Sequence, residues 1–167
     1  MKILGIDPGI ARTGWGVIKK ANGKLASRRS GWQMAHCGCV ETSKTLPLEI
    51  RIKSLYDQLS RIINEERPDS VAIEELFFNT NAKTALIVGQ ARGVILLSAA
   101  EANLPVAVYT PLQVKIAITG YGRAEKMQVE KMVMVQLGLK EKPKLDDISD
   151  ALAIALTHAF SRKMYIT

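Results

Sequence analysis

The stretch ILGIDPGIARTGWGVI, residues 3–18, leaves few folds open to the chain. An apolar run leads into a lone acid, Asp7, then a Pro-Gly turn, then a second apolar run rich in glycine. The pattern predicts two strands, residues 2–6 and 14–19, joined by a tight turn, with a carboxylate at the carboxyl end of the first. A third strand is expected over about 33–42. It follows a basic, polar stretch, KKANGKLASRRSGW, that reads as an extended hairpin arm with Trp32 at its tip.

Beyond that arm the period of the pattern changes. Apolar residues at 48, 52, 55, 59, 62 and 63 follow helical spacing, with Pro47 in the first turn and Pro68 past the end. DSVAIEEL is a short buried strand, and NAKTALIVGQARGVILLSAAEAN a long helix capped by Asn79 or Asn81. LPVAVYT gives a fifth strand, and Thr110-Pro111 opens a helix that stops near Gly120. AEKMQVEKMVMVQLG is a helix closed by Gly138, and DDISDALAIALTHAF a final one. Hairpin strands followed by βαβ units predict an α/β fold: a mixed five-stranded sheet with helices on both faces. With 167 residues, no internal repeat and no domain linker (KEKPKL is only a short charged linker between the last two helices), the expectation is a single domain, 1–167.

Charge narrows the partners. Lys and Arg outnumber Asp and Glu by 23 to 16, a formal charge of +7, which favours a polyanion such as nucleic acid. Cys37 and Cys39 are too close for an ordinary intrachain disulfide, so a reduced, intracellular chain is expected. With His36 they form HCGC, but a structural zinc site normally draws four ligands from two separated pairs. A strand with buried thiols is the better reading. No apolar run approaches the roughly 20 residues of a membrane-spanning helix, and no secretory signal is visible.

The acids carry the functional argument. Asp7 falls at the carboxyl end of one predicted strand, and Glu74 and Glu75 at that of another, which is the edge where α/β sheets gather ligands. Asp147 and Asp150 lie three apart on the last helix and share a face that continues into Ile154. Taken singly, Asp7 is a turn former and Asp146, Asp147 and Asp150 are helix-capping acids. Together they are carboxylates that would repel one another at an apolar edge unless cations joined them. Oxygen ligands without His or Cys suit Mg²⁺ or Mn²⁺. Such a site beside a basic surface points to phosphodiester chemistry. Spacing alone does not choose Glu74 over Glu75, or Asp147 over Asp146.

A strand-borne Asp, a second-strand Glu and a late helical D-x-x-D resemble the ribonuclease H-like nucleases. More narrowly, GIDPG with TGWGV, AIEELF, NAKTAL leading into GQARGV, GYGRAEKMQV and DDISDALAIALTH, in that order from residue 3 to about 158, resemble the RuvC family of bacterial Holliday junction resolvases. The resemblance implies a homodimeric endonuclease that nicks two opposed strands of a four-way DNA junction, leaving 5′-phosphate and 3′-hydroxyl ends. It implies two Mg²⁺ per active site, with Mn²⁺ as substitute, held by Asp7, Glu74, Asp147 and Asp150; Asp146 stays open as a secondary ligand because it lies within about 40° of Asp150 around the helix. It places Lys115 and Lys126 near DNA and gives Phe77 a base-stacking role. Arg123, in the glycine loop, is our own addition as a phosphate contact. The long helix from 81 to 102, with Gly89, Ala91 and Gly93, is expected at a twofold interface; packing on its own sheet explains the small residues equally well. A branch-migration helicase partner and a cytoplasmic, nucleoid-associated location follow from the same resemblance.

Two departures stand out. The arm around 20–38 is longer than usual, and the tail ends soon after the last helix, at SRKMYIT. Neither touches the acids. Three rival readings share parts of this pattern. IDPGIARTGWGV also looks like the phosphate-binding hairpin of actin-like ATPases, but those need a duplicated domain. The nucleases that trim ribosomal RNA precursors match GQARGV and AEKMQV less fully. A junction-binding protein without catalysis would not need the intact acid set.

Overall fold

The structure, a computed structural model, describes residues 1–22, 30–75 and 82–163. The central part of the arm, the Asn79 and Asn81 caps, Phe77 and Phe78, and the end of the chain lie outside these residues.

Ten elements follow the predicted order. They are β1 (Lys2–Asp7), β2 (Arg12–Lys20), β3 (Trp32–Glu41), α1 (Leu48–Glu66), β4 (Ser70–Glu74), α2 (Ala82–Glu101), β5 (Val106–Tyr109), α3 (Pro111–Thr119), α4 (Lys126–Leu137) and α5 (Asp146–Lys163). The strands form one mixed sheet in the order β3-β2-β1-β4-β5. β1, β2 and β3 run antiparallel as a meander, while β1–β4 and β4–β5 are parallel. The crossovers through α1 and α2 carry the parallel strands, as a βαβ connection requires.

Alternation along the strands splits the core into two. Ile3, Ile18 and Ala72 face one side, where Leu152, Ala155 and Leu156 of α5 cover them with α3 and α4 behind. Leu4, Ile6, Val17, Val71 and Ile73 face the other, under Leu55 and Leu59 of α1 and Ala91 and Ile95 of α2. Each fully buried Leu or Ile contributes about 1.5–3 kcal/mol. α5 is the central helix: Ala151 to Ala159 is buried residue after residue. It lies directly on the strand backbone because Gly5, Gly14 and Gly16 leave room. A side chain at Gly5 would overlap the Ala151 carbonyl, and one at Gly14 the Asp147 carbonyl.

Helix ends obey local chemistry. Thr110 accepts from the Gln113 backbone N–H while the Gln113 side chain accepts from that of Thr110, and Gly120 closes α3 in the left-handed conformation. Glu125 and Gln128 repeat the box at α4, and Gly138 closes it at φ 63°.

Trp32 corrects the sequence reading of the arm. It is no exposed tip. It is 2% exposed, the first residue of β3, and packs into the α5-side core. Ser30 beside it donates a 2.6 Å hydrogen bond to the Gln136 carbonyl of α4, so this end of the arm is tied down. Cys37 and Cys39 are free, half-buried thiols packed against the same core, as expected of alternate residues on one strand face. His36 points the other way and meets Glu66 at 2.5 Å.

Candidate active site

Three elements bring the acids to one edge. Asp7 ends β1, opposite Gly14 of β2. Ile6 pairs with Ile73 of β4, so Glu74 emerges at the neighbouring strand end, in register with Tyr109 of β5. Asp147 and Asp150 come from the first turns of α5, whose height above the sheet the Gly14–Asp147 contact fixes.

The choice that spacing left open between Glu74 and Glu75 has a geometric answer. Glu74 is half-buried and lines a crevice with Asp150, whereas Glu75 is exposed and its backbone N–H donates to the Tyr109 carbonyl at 2.8 Å. Asp146 likewise turns outward. It is ion-paired with Lys142 at 2.9 Å and Lys126 at 3.5 Å, and these ammonium groups hold its carboxyl below the usual range, the Lys142 hydrogen bond first. Asp147 faces Arg12, with Nη1 at 3.8 Å.

The electrostatics show how close the acids stand. Burial first, then the charges of Asp150, Glu74 and Asp147, push the Asp7 carboxyl up to about 8, with Lys126 partly offsetting them. Burial and Asp150 raise Glu74, and burial raises Asp150 against the pull of Lys126. Lys126, the first residue of α4, donates a 2.9 Å hydrogen bond to Asp150 Oδ2. Lys142 extends the charge chain by bridging Asp146 to the buried Glu130, at 2.9 Å each.

The donor set fits a hard divalent cation. Carboxylates from β1, β4 and α5 converge, no imidazole or thiol lines the crevice, and Asp7 bears a proton affinity that positive charge would relieve. Among the described residues, no three Asp, Glu, His or Cys side chains already stand close enough to hold an ion. In this arrangement Lys126 pairs with Asp150 and Arg12 with Asp147.

The model of one family, crossover junction endodeoxyribonuclease RuvC, matches residues 3–158. The chain belongs to the RuvC family. A curated relative of that description from Caldicellulosiruptor saccharolyticus is 52% identical over 161 residues, 96% of this chain and 93% of its own. Another, from Desulforamulus reducens, is 52% identical over 159 residues, 95% of this chain and 93% of its own. Among solved structures, Thermus thermophilus RuvC in complex with Holliday junction substrate superposes with a TM-score of 0.90 and 41% identity, covering 99% of this chain and 96% of that one. The yeast mitochondrial Holliday junction resolvase, at 16% identity and TM-score 0.65 over 98% of this chain and 80% of that one, shares the fold. The ribonuclease H-like fold read from the sequence is therefore the fold of the chain. No helix among the described residues is long and apolar enough to cross a membrane.

The basic residues divide. Lys115 of α3 and Lys126 line the crevice with Glu74 and Asp150. Arg123 is exposed in the loop before α4 and is not part of that lining. Phe77 lies outside the described residues. Sequence reasoning missed Arg12 and Lys142. Each is an ordinary basic residue in the chain, and only the fold puts Arg12 opposite Asp147 and Lys142 between Glu130 and Asp146.

Proposed function

We propose that this chain is a metal-dependent endodeoxyribonuclease that cuts four-way DNA junctions, as one ribonuclease H-like nuclease domain over 1–167. The observation that carries the reading is the convergence of Asp7, Glu74, Asp147 and Asp150 beside Lys126, in a chain of this family.

Asp7, Glu74, Asp147 and Asp150 would hold the two Mg²⁺ or Mn²⁺ ions, with Asp7 standing among the charges of the other three. Ions so held supply an activated water and stabilisation of the leaving 3′ oxygen, consistent with 5′-phosphate and 3′-hydroxyl ends. The side chains do the rest. The four carboxylates set where cations would be held, and those cations would attract the cut phosphate that the acids alone repel. Lys126, hydrogen-bonded to Asp150, and Lys115 line the crevice beside the acids, where each would offset phosphate charge. Arg12 holds Asp147 in place, Arg123 reaches a phosphate from the exposed loop, and Phe77 stacks on an unpaired base.

Paired cuts call for two sites related by a twofold axis. The outer stripe of α2 supports a homodimer. Leu86 and Leu97 are exposed, and among the described residues nothing lies within 4 Å of where a Cβ on Gly89 or Gly93 would be. Packing on the chain's own sheet therefore does not explain these glycines; Ala91, which is fully buried, serves that purpose. A branch-migration helicase is the partner expected to present the junction, at the cytoplasmic nucleoid.

Labelled four-way and linear DNA, incubated with Mg²⁺ or EDTA, test the proposal. Symmetric paired nicks in the junction with Mg²⁺ alone are expected. Equal cutting of the linear duplex, or cutting in EDTA, contradicts it.

A further inference from the structure

The crevice that opens beside Glu74 and Asp150 has a volume of about 180 Å³, and most of its wall is hydrocarbon. Val114 comes from α3, Val129 from α4, and Ala153 and Ile154 from α5. The charged groups, Glu74, Asp150, Lys115 and Lys126, share its lining. The three helices pack on one another, and α3 and α4 are capped at defined residues, so the crevice is built into the fold.

A site of this kind suits a ligand with a flat, weakly polar body and an anionic group attached. Free phosphate would satisfy the lysines and leave the valine walls wet. A simple aliphatic chain would cover the walls and offer no anion to Lys115, whereas Lys126 already meets Asp150 and Asp146. A nucleotide does both. If the cut phosphate lies at the acids, as the nuclease reading above requires, a neighbouring nucleoside is within reach of the crevice.

Resting on that reading, we propose that this crevice seats the unpaired base of a nucleotide adjoining the cut phosphate, so that cutting requires a base free to leave its stack. In a linear duplex every base is paired and stacked, and extrusion is unfavourable. At a crossover the bases beside the exchange point have lost stacking continuity and leave most easily. The crevice thereby adds a second check on substrate, at the chemical step, to recognition of junction shape. Base entry also draws the attached phosphate toward Lys115 and Lys126, linking the check to alignment over Glu74 and Asp150.

The test uses single-turnover cutting of four-way junctions in which the base on either side of the cut is removed one at a time, leaving an abasic sugar. With the wild-type protein, one abasic position lowers cutting about 10- to 100-fold, while junction affinity changes little. Val129→Phe, which fills the crevice, lowers cutting of the intact junction comparably and no longer responds to the abasic site. Val129→Met, checked for folding by circular dichroism and for junction binding, gives the same pattern in milder form. Normal wild-type cutting of both abasic junctions overturns the proposal, as does a folded Val129→Met or Val129→Phe protein with undiminished abasic sensitivity. Failure of the wild-type protein to cut any intact junction overturns the nuclease reading, and the crevice proposal with it.

Discussion

The backbone carbonyl of Asp147 rests on Gly14, in space that a side chain at Gly14 would occupy. Gly14 is also the cross-strand partner of Asp7. One residue without a side chain therefore sets the distance between the first strand's acid and the acids of the last helix, and links the hairpin sequence TGWGV to the site.

Gly14→Ala tests that link. The added methyl meets backbone atoms, which cannot rotate away, so α5 must rise off the sheet. Overpacking of this kind costs about 1–3 kcal/mol, or roughly 2–4 °C in Tm for each kcal/mol. Displacement of Asp147 and Asp150 by a fraction of an ångström to an ångström lowers cutting by about a hundredfold. Unchanged Tm and rate by calorimetry and junction cutting would show that the contact is not a constraint.

Asp7→Asn separates stability from activity. The native carboxylate is buried among three other acids. At neutral pH the native state must keep this carboxyl protonated, a cost that a neutral isostere does not carry, so the metal-free mutant melts higher than the wild type while losing cutting and keeping junction binding. Thermal melts in EDTA and gel-shift assays check this. A lower Tm for Asp7→Asn would contradict the electrostatic account.

The same carboxyl sets a pH dependence. Its folded value of about 8 lies above the ordinary 3.8, so across that window the native state keeps a proton that the unfolded chain has released. Metal-free stability therefore falls as pH rises from about 4 to 8 and levels off above. Glu74 and Asp150, raised in the same direction, add to the slope. Divalent cations must displace the proton, so below pH 8 their affinity rises with pH by at most about tenfold per unit, with proton release visible by calorimetry in two buffers. A metal affinity flat between pH 6 and 8 would contradict this.

Gly93→Leu addresses the dimer. Nothing among the described residues lies within 4 Å of a Cβ there, so the monomer fold has room for the larger side chain. If α2 packs against a second copy, the leucine holds the helices apart and sedimentation shifts to the monomer; an unchanged dimer would place the interface elsewhere.

Much of this was legible in the residues, for identifiable reasons. Asp7 and Glu74 were found because strand ends are marked by a change of pattern, and Asp147 and Asp150 because helical spacing puts them on one face. The direction of a side chain at an element's end was not legible. Glu74 and Glu75 are equivalent in sequence and differ only because β4 pairs on both sides and sends one inward. Trp32 misled because basic and polar neighbours hid a residue that the β2–β3 ladder carries into the core. Lys142 and Arg12 were invisible because their partners, Glu130 and Asp147, are set by helix packing alone.

The most direct measurement is anomalous diffraction from crystals of the protein soaked in Mn²⁺. Ions coordinated by Asp7 together with Glu74, Asp147 and Asp150, with Lys126 drawn away from Asp150, are the predicted result. Manganese bound only elsewhere on the surface, with the Lys126–Asp150 contact intact, would contradict the account.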